Sequence, residues 1–87
     1  MVMSTEQKIQ KKLVEIYEHL VNSLPSLSEE KRHKIRKRVR EHRKDNLITM
    51  KGIADGLRYI NSEEKLEEYK WYANMCVRLK KLEKTYS

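Results

Sequence analysis

Nine of the fourteen residues in KRHKIRKRVREHRK, positions 31–44, are Lys or Arg, and only Glu41 is acidic. The chemistry open to such a run is polyanion binding. Five of the nine are arginines, whose planar fork suits bidentate phosphate contacts. Placed on a helix at about 100° per residue, Ile35 and Val39 fall one turn apart with His42 beside them. His33, Arg36, Lys37, Arg40 and Lys44 fan across the opposite face. A helix of this length spans about 21 Å, several phosphate spacings along a nucleic-acid backbone. The like-charged pairs Arg32–Arg36, Arg36–Arg40 and Arg40–Lys44 each repel by roughly 0.2–0.5 kcal/mol. An opposing polyanion removes that repulsion and releases counterions.

The expected phosphate ligands are therefore Arg36, Lys37, Arg40, Arg43 and Lys44, flanked by Arg32, Lys34 and Arg38. Arg78, Lys80 and Lys81 extend the patch if the fold brings the chain's last helix nearby. The competing reading is internal neutralisation by Glu63, Glu64, Glu67 and Glu68. Four carboxylates do not balance nine cations, and exposed pairs contribute little. Ile35 and Val39 form too thin an apolar face for a membrane-surface helix.

Other reactive side chains point to no catalysis. Glu30-x-x-His33 has the spacing of helical di-metal sites, but those need a second copy and further carboxylates. Glu41 and His42 are adjacent, and neighbours on a helix point apart, so they do not form an acid–base pair for a ribonuclease. His19 reads as solvated. Cys76 lies on an apolar stripe and reads as buried and inert. No glycine-rich phosphate loop is present. We therefore expect no enzyme, no metal and no cofactor, with function arising from occupancy.

These residues need elements to position them. Ser4 and Gln7 have capping-box spacing, and Ile9, Leu13, Ile16, Tyr17, Leu20, Val21 and Leu24 make one apolar face, so a first helix is expected over 5–24, stopped by Pro25. Ser28 is the expected N-cap of a second helix, 29–45, with Asn46 as its stop. Met50, Ile53, Ala54, Leu57 and Ile60 mark a third, 49–60, in which Gly52 and Gly56 suggest close approach of a neighbouring helix. A fourth, 63–84, carries two stripes: Leu66, Tyr69, Ala73 and Cys76, then Tyr72, Met75, Leu79 and Leu82. That breadth suits self-association. Tyr17, Tyr69 and Tyr72 are expected in the core. Tyr59, Trp71 and Tyr86 are candidates for a wet interface that could stack on bases or anchor a protein contact.

The expectation is an all-α fold: a compact bundle of about four helices in one domain, 1–87, acting as a homodimer. A chain of 87 residues has a thin stability margin alone. One cysteine excludes an intrachain disulfide and favours a reducing, cytoplasmic setting. The opening MVMSTEQKIQ lacks the apolar h-region of a signal peptide, and no apolar run has the length of a membrane span. The net charge is +7 and residues 31–44 carry +8, so the remainder is 7 − 8 = −1. All excess positive charge sits in one segment, which mere solubility does not require.

Nucleic acid is thus the expected partner, RNA ahead of DNA. A helix-turn-helix over residues 49–69 would place Glu63, Glu64, Glu67 and Glu68 on its recognition helix, where DNA repels them. With no base-edge reader, recognition of backbone and shape is left, a mode common for structured RNA. EHRKD at 41–45, followed by Gly52, resembles the EHKKD stretch of the fifteenth small-subunit ribosomal protein family, which is all-helical, basic and RNA-binding. The resemblance is confined to this stretch. The family's next helix is basic and leucine-rich, whereas the corresponding region here is acidic and tyrosine-rich. The alternative reading is a small inhibitor or adaptor of a protein target, of phage or antitoxin type, which could act together with bound RNA.

Overall fold

The structure, a computed structural model, describes residues 3–87. The first two residues of the expected 1–87 domain lie outside it. Among the described residues the chain is all-helical, with no strand. Three α-helices follow one another: α1 (Thr5–Leu20), α2 (Glu29–Leu57) and α3 (Glu63–Thr85), with a 3-10 segment, Val21–Ser26, between the first two.

Each helix starts where a serine can cap it. Ser4 and Gln7 form the reciprocal capping box, at 3.1 and 2.9 Å. Ser28 accepts from the Lys31 N–H and Ser62 from the Lys65 N–H, both at 3.2 Å. Glu29, Glu30, Glu63 and Glu64 then lie in first turns, where the helix dipole favours anions. α1 stops at Leu20, earlier than the expected residue 24. The ring of Pro25 clashes with an α-helical carbonyl four residues back, at Val21. The chain tightens into the 3-10 turn before it.

The larger correction is the number of helices. The expected second and third helices, 29–45 and 49–60, are one helix that passes through Asn46 and ends at Leu57. Among the described residues there are therefore three α-helices, not four. Ile35, Val39, His42, Asn46, Met50, Ile53 and Leu57 follow one another at four and three residues, which is one unbroken helical stripe. Asn46 occupies a core place on it and is 0% exposed. α2 is about 43 Å long, which sets the 48 Å long axis of the molecule.

α3 packs antiparallel along α2. Val14, Val39, Met75, Leu79, Leu82 and Tyr86 form the buried cluster, with Tyr17, Leu20, Ile35 and Trp71 packed around it. Of the two α3 stripes, the one through Tyr72, Met75, Leu79 and Leu82 is buried. Tyr86, expected at a wet interface, is fully buried and donates its hydroxyl proton to the Tyr17 carbonyl at 2.6 Å. Tyr59 remains exposed, and Trp71 sits half-buried edge-on to Tyr72.

α1 flanks only one half of the α2–α3 hairpin. Its first residue, Thr5, lines a groove with Thr49, and no α1 residue lines the surface at Gly52 and Gly56. In that free part Gly52 and Gly56 have no close neighbour: a Cβ at either would meet nothing within 4 Å. The expected tight helix crossing is absent, and both glycines line an open depression with Ile53 and Ile60. α1 is also rotated against expectation. Gln7, Gln10 and Val14 are its buried residues, while Ile9, Leu13 and Ile16 remain 56%, 39% and 46% exposed.

Candidate nucleic-acid interface

The basic segment lies wholly within α2, anchored by Val39 (buried) and Ile35 (half-buried). His42 is half-buried with its ring edge-on to Tyr17, centroids 6.4 Å apart. Burial holds the His42 pKa below its usual value, with Asp45 opposing. Neither ring nitrogen has a protein partner. Glu41 beside it faces solvent. His33 Nδ1 lies 2.7 Å from the Arg36 guanidinium, and Glu30 pairs with Lys34 at 3.4 Å. These contacts place the two candidate di-metal residues in separate pairs.

Three of the nine cations are held by carboxylates, but not by those expected. Glu83, near the end of α3, accepts from Arg40 Nε at 3.0 Å and from Arg43 Nε at 2.5 Å. Lys34 is held by Glu30. Glu67 and Glu68 pair instead with Lys70 and Lys65 on their own helix. Nine less three leaves Lys31, Arg32, Arg36, Lys37, Arg38 and Lys44 with no ion pair among the described residues.

Helical geometry divides these cations. Taking Val39 as the core direction, Arg36, Arg40, Lys44 and Lys37 lie on the flank that Glu83 of α3 approaches. Arg38 lies on the opposite flank, where it lines the α1-side groove with Glu41 and Asp45. The α3 candidates divide likewise. Lys80 stands three residues before Glu83 and shares its side of the helix, so it joins the strip on α2. Arg78 and Lys81 face α1, where Arg78 forms a two-pronged ion pair with Glu18. Lys84, one turn after Lys80 and exposed, extends the strip. Its i, i+4 spacing from Lys80 was the signal that could have found it. The assembled strip is Arg36, Lys37, Arg40 and Lys44 on α2 with Lys80 and Lys84 on α3.

Glu83 is the pivot between this strip and the core. Its hydrogen bond from Arg43, and then that from Arg40, hold its pKa below the ordinary 4.5 against the effect of burial. A depressed carboxylate stabilises the fold fully above the unfolded value and loses that contribution as pH falls through the folded one. The Arg–Glu83–Arg bridge therefore weakens only below about pH 4.5. Glu83→Gln should cost about 1 kcal/mol at pH 7 and flatten the acid limb of a stability–pH curve. It should also tighten polyanion binding several-fold by freeing two guanidiniums. Urea melts from pH 3 to 7 and a binding titration check the two halves.

Cys76 is half-buried with its Sγ 3.6 Å from Met50 Sδ, and burial pushes its thiol pKa up. That is the setting of an inert thiol. Among the described residues no helix is long and apolar enough to cross a membrane. No protein-family model matches the chain, and no curated protein or solved structure matches it either.

Proposed function

We propose that this protein binds nucleic acid, RNA in preference to DNA, and acts without catalysis by masking or scaffolding. One observation carries the reading. Among the described residues six of the nine cations in residues 31–44 have no carboxylate partner, and three of them, Arg36, Lys37 and Lys44, lie with Arg40 on a strip that continues onto α3 through Lys80 and Lys84. An exposed array of this kind gains little from its own fold and much from phosphates. A long helix with no reader for base edges among its described residues supports contact with backbone and shape, which suits structured RNA. Competition between duplex RNA, duplex DNA and single strands of equal length tests the class of ligand. The expected order places duplex RNA first.

The working unit in this reading is a homodimer in the cytoplasm, since so short a chain gains margin from a second copy. A second reading, an adaptor or inhibitor of a protein target, is favoured by the apolar residues at the free end of the hairpin. Tyr59 and Ile60 are 88% and 68% exposed. Tyr59→Ser with Ile60→Ser should leave nucleic-acid binding unchanged and abolish capture of such a partner.

A further inference from the structure

α1 presents an inverted surface. Polar Gln7 and Gln10 are buried, with Gln7 Nε2 and Gln10 Oε1 lacking any partner. Ile9, Leu13 and Ile16 stand exposed. With half-buried Leu20 they follow at four, three and four residues, the spacing of a coiled-coil seam. Beside the seam runs the groove of about 620 Å³ between α1 and α2. Its α1 wall carries Ile9, Leu13 and Tyr17 with Glu6, and its α2 wall Arg38 beside the carboxylates Glu41 and Asp45, so carboxylates outnumber cations in it three to one. Neither Glu41 nor Asp45 is in an ion pair among the described residues, and neither are Lys8 and Lys12 on the other flank of the seam.

We infer that this seam and groove are the interface with a second copy of the chain, the two α1 helices packing parallel about a two-fold axis. The assignment rests on the homodimer reading above and names its surface. A two-fold contact must be self-complementary, the same patch meeting itself. A parallel pairing meets that need, because it sets the lysine flank of one α1 against the groove flank of the other. α1 and α2 run antiparallel, with Tyr17 beside His42 towards one end of the groove and Thr5 and Thr49 lining the other. The lysine flank of one copy, Lys8 and Lys12, therefore faces the groove wall of the other that carries Glu41 and Asp45. An antiparallel pairing would bring lysine flank to lysine flank. The interface so defined replaces the broad face of α3, whose Tyr72, Met75, Leu79 and Leu82 stripe is already buried.

Sedimentation velocity over a wide concentration range reads the outcome. Every substituted position is exposed, and circular dichroism confirms retained helix. The wild type should dimerise, and Ile9→Ser with Ile16→Ser should weaken the dimer at least tenfold. Glu41→Lys with Asp45→Lys should be monomeric, as should Lys8→Glu with Lys12→Glu, because like charges then meet. Mixing those two variants should restore a dimer, since each supplies the sign the other has lost. A monomeric wild type would overturn the homodimer reading itself. A dimer untouched by the serine variant, or two charge variants that fail to recombine, would overturn the interface and leave the dimer standing.

Discussion

Lys37→Glu combined with Lys44→Glu is expected to weaken nucleic-acid binding by about a hundredfold near 0.1 M salt, because each lost phosphate contact costs about tenfold there through counterion release. Both side chains are exposed and neither is in an ion pair, so the fold should be untouched and the urea midpoint should move little. Reversal also removes like-charge repulsion along α2, which offsets any small loss of stability. The control is Lys65→Glu with Lys81→Glu, an equal change in net charge made off the strip. If affinity tracks net charge alone, the two variants will lose equally. If the strip is the site, the control should fall by far less. Filter binding or fluorescence anisotropy with a duplex of about twenty base pairs distinguishes them.

The largest stability effect is expected at Asn46. A proline there removes a mid-helix hydrogen bond and clashes with the preceding turn, costing about 3 kcal/mol or more. Set against the roughly 5–15 kcal/mol that a domain holds in total, Asn46→Pro should remove a large share of the stability and move the urea midpoint sharply down. Were α2 two helices with a joint at Asn46, proline would be tolerated. Asn46→Leu should act in the opposite direction. Both polar atoms of the Asn46 side chain are buried without a partner, and an apolar replacement of similar shape relieves that desolvation by about 1–2 kcal/mol. Denaturant melts of the two variants give opposite shifts if α2 is continuous with Asn46 in its core.

Asn46 also marks where sequence reading failed. Asparagine is a common helix stop, and it falls between two well-formed apolar stripes. The continuity of those stripes, Val39 and His42 to Met50 and Ile53, was the better signal, but it requires accepting an amide as a core residue. Gln7 and Gln10 misled in the same way. A buried glutamine beside an exposed isoleucine is a tertiary outcome that periodicity alone does not contain. The caps at Ser4 and Ser28 and the anchoring of the basic segment by Ile35 and Val39 were legible, because each is a local rule, whereas Pro25 ended the first α-helix four residues earlier than its position suggests. The ion pairs were not legible. Glu83 reaches Arg40 and Arg43 across forty residues of sequence or more, at separations of 43 and 40. Only the pairing of α2 with α3 brings them together, and the same pairing divides Lys80 from Arg78 and Lys81.

The central claim is that the unpaired cations of α2, continued by α3, hold phosphates. The salt dependence of duplex binding tests it most directly. With four to six phosphates neutralised on duplex DNA, log K should fall against log salt with a slope of roughly −4 to −5. An RNA duplex of equal length should bind more tightly at every salt concentration. A flat salt dependence, or no measurable binding to any nucleic acid at low salt, would contradict the account.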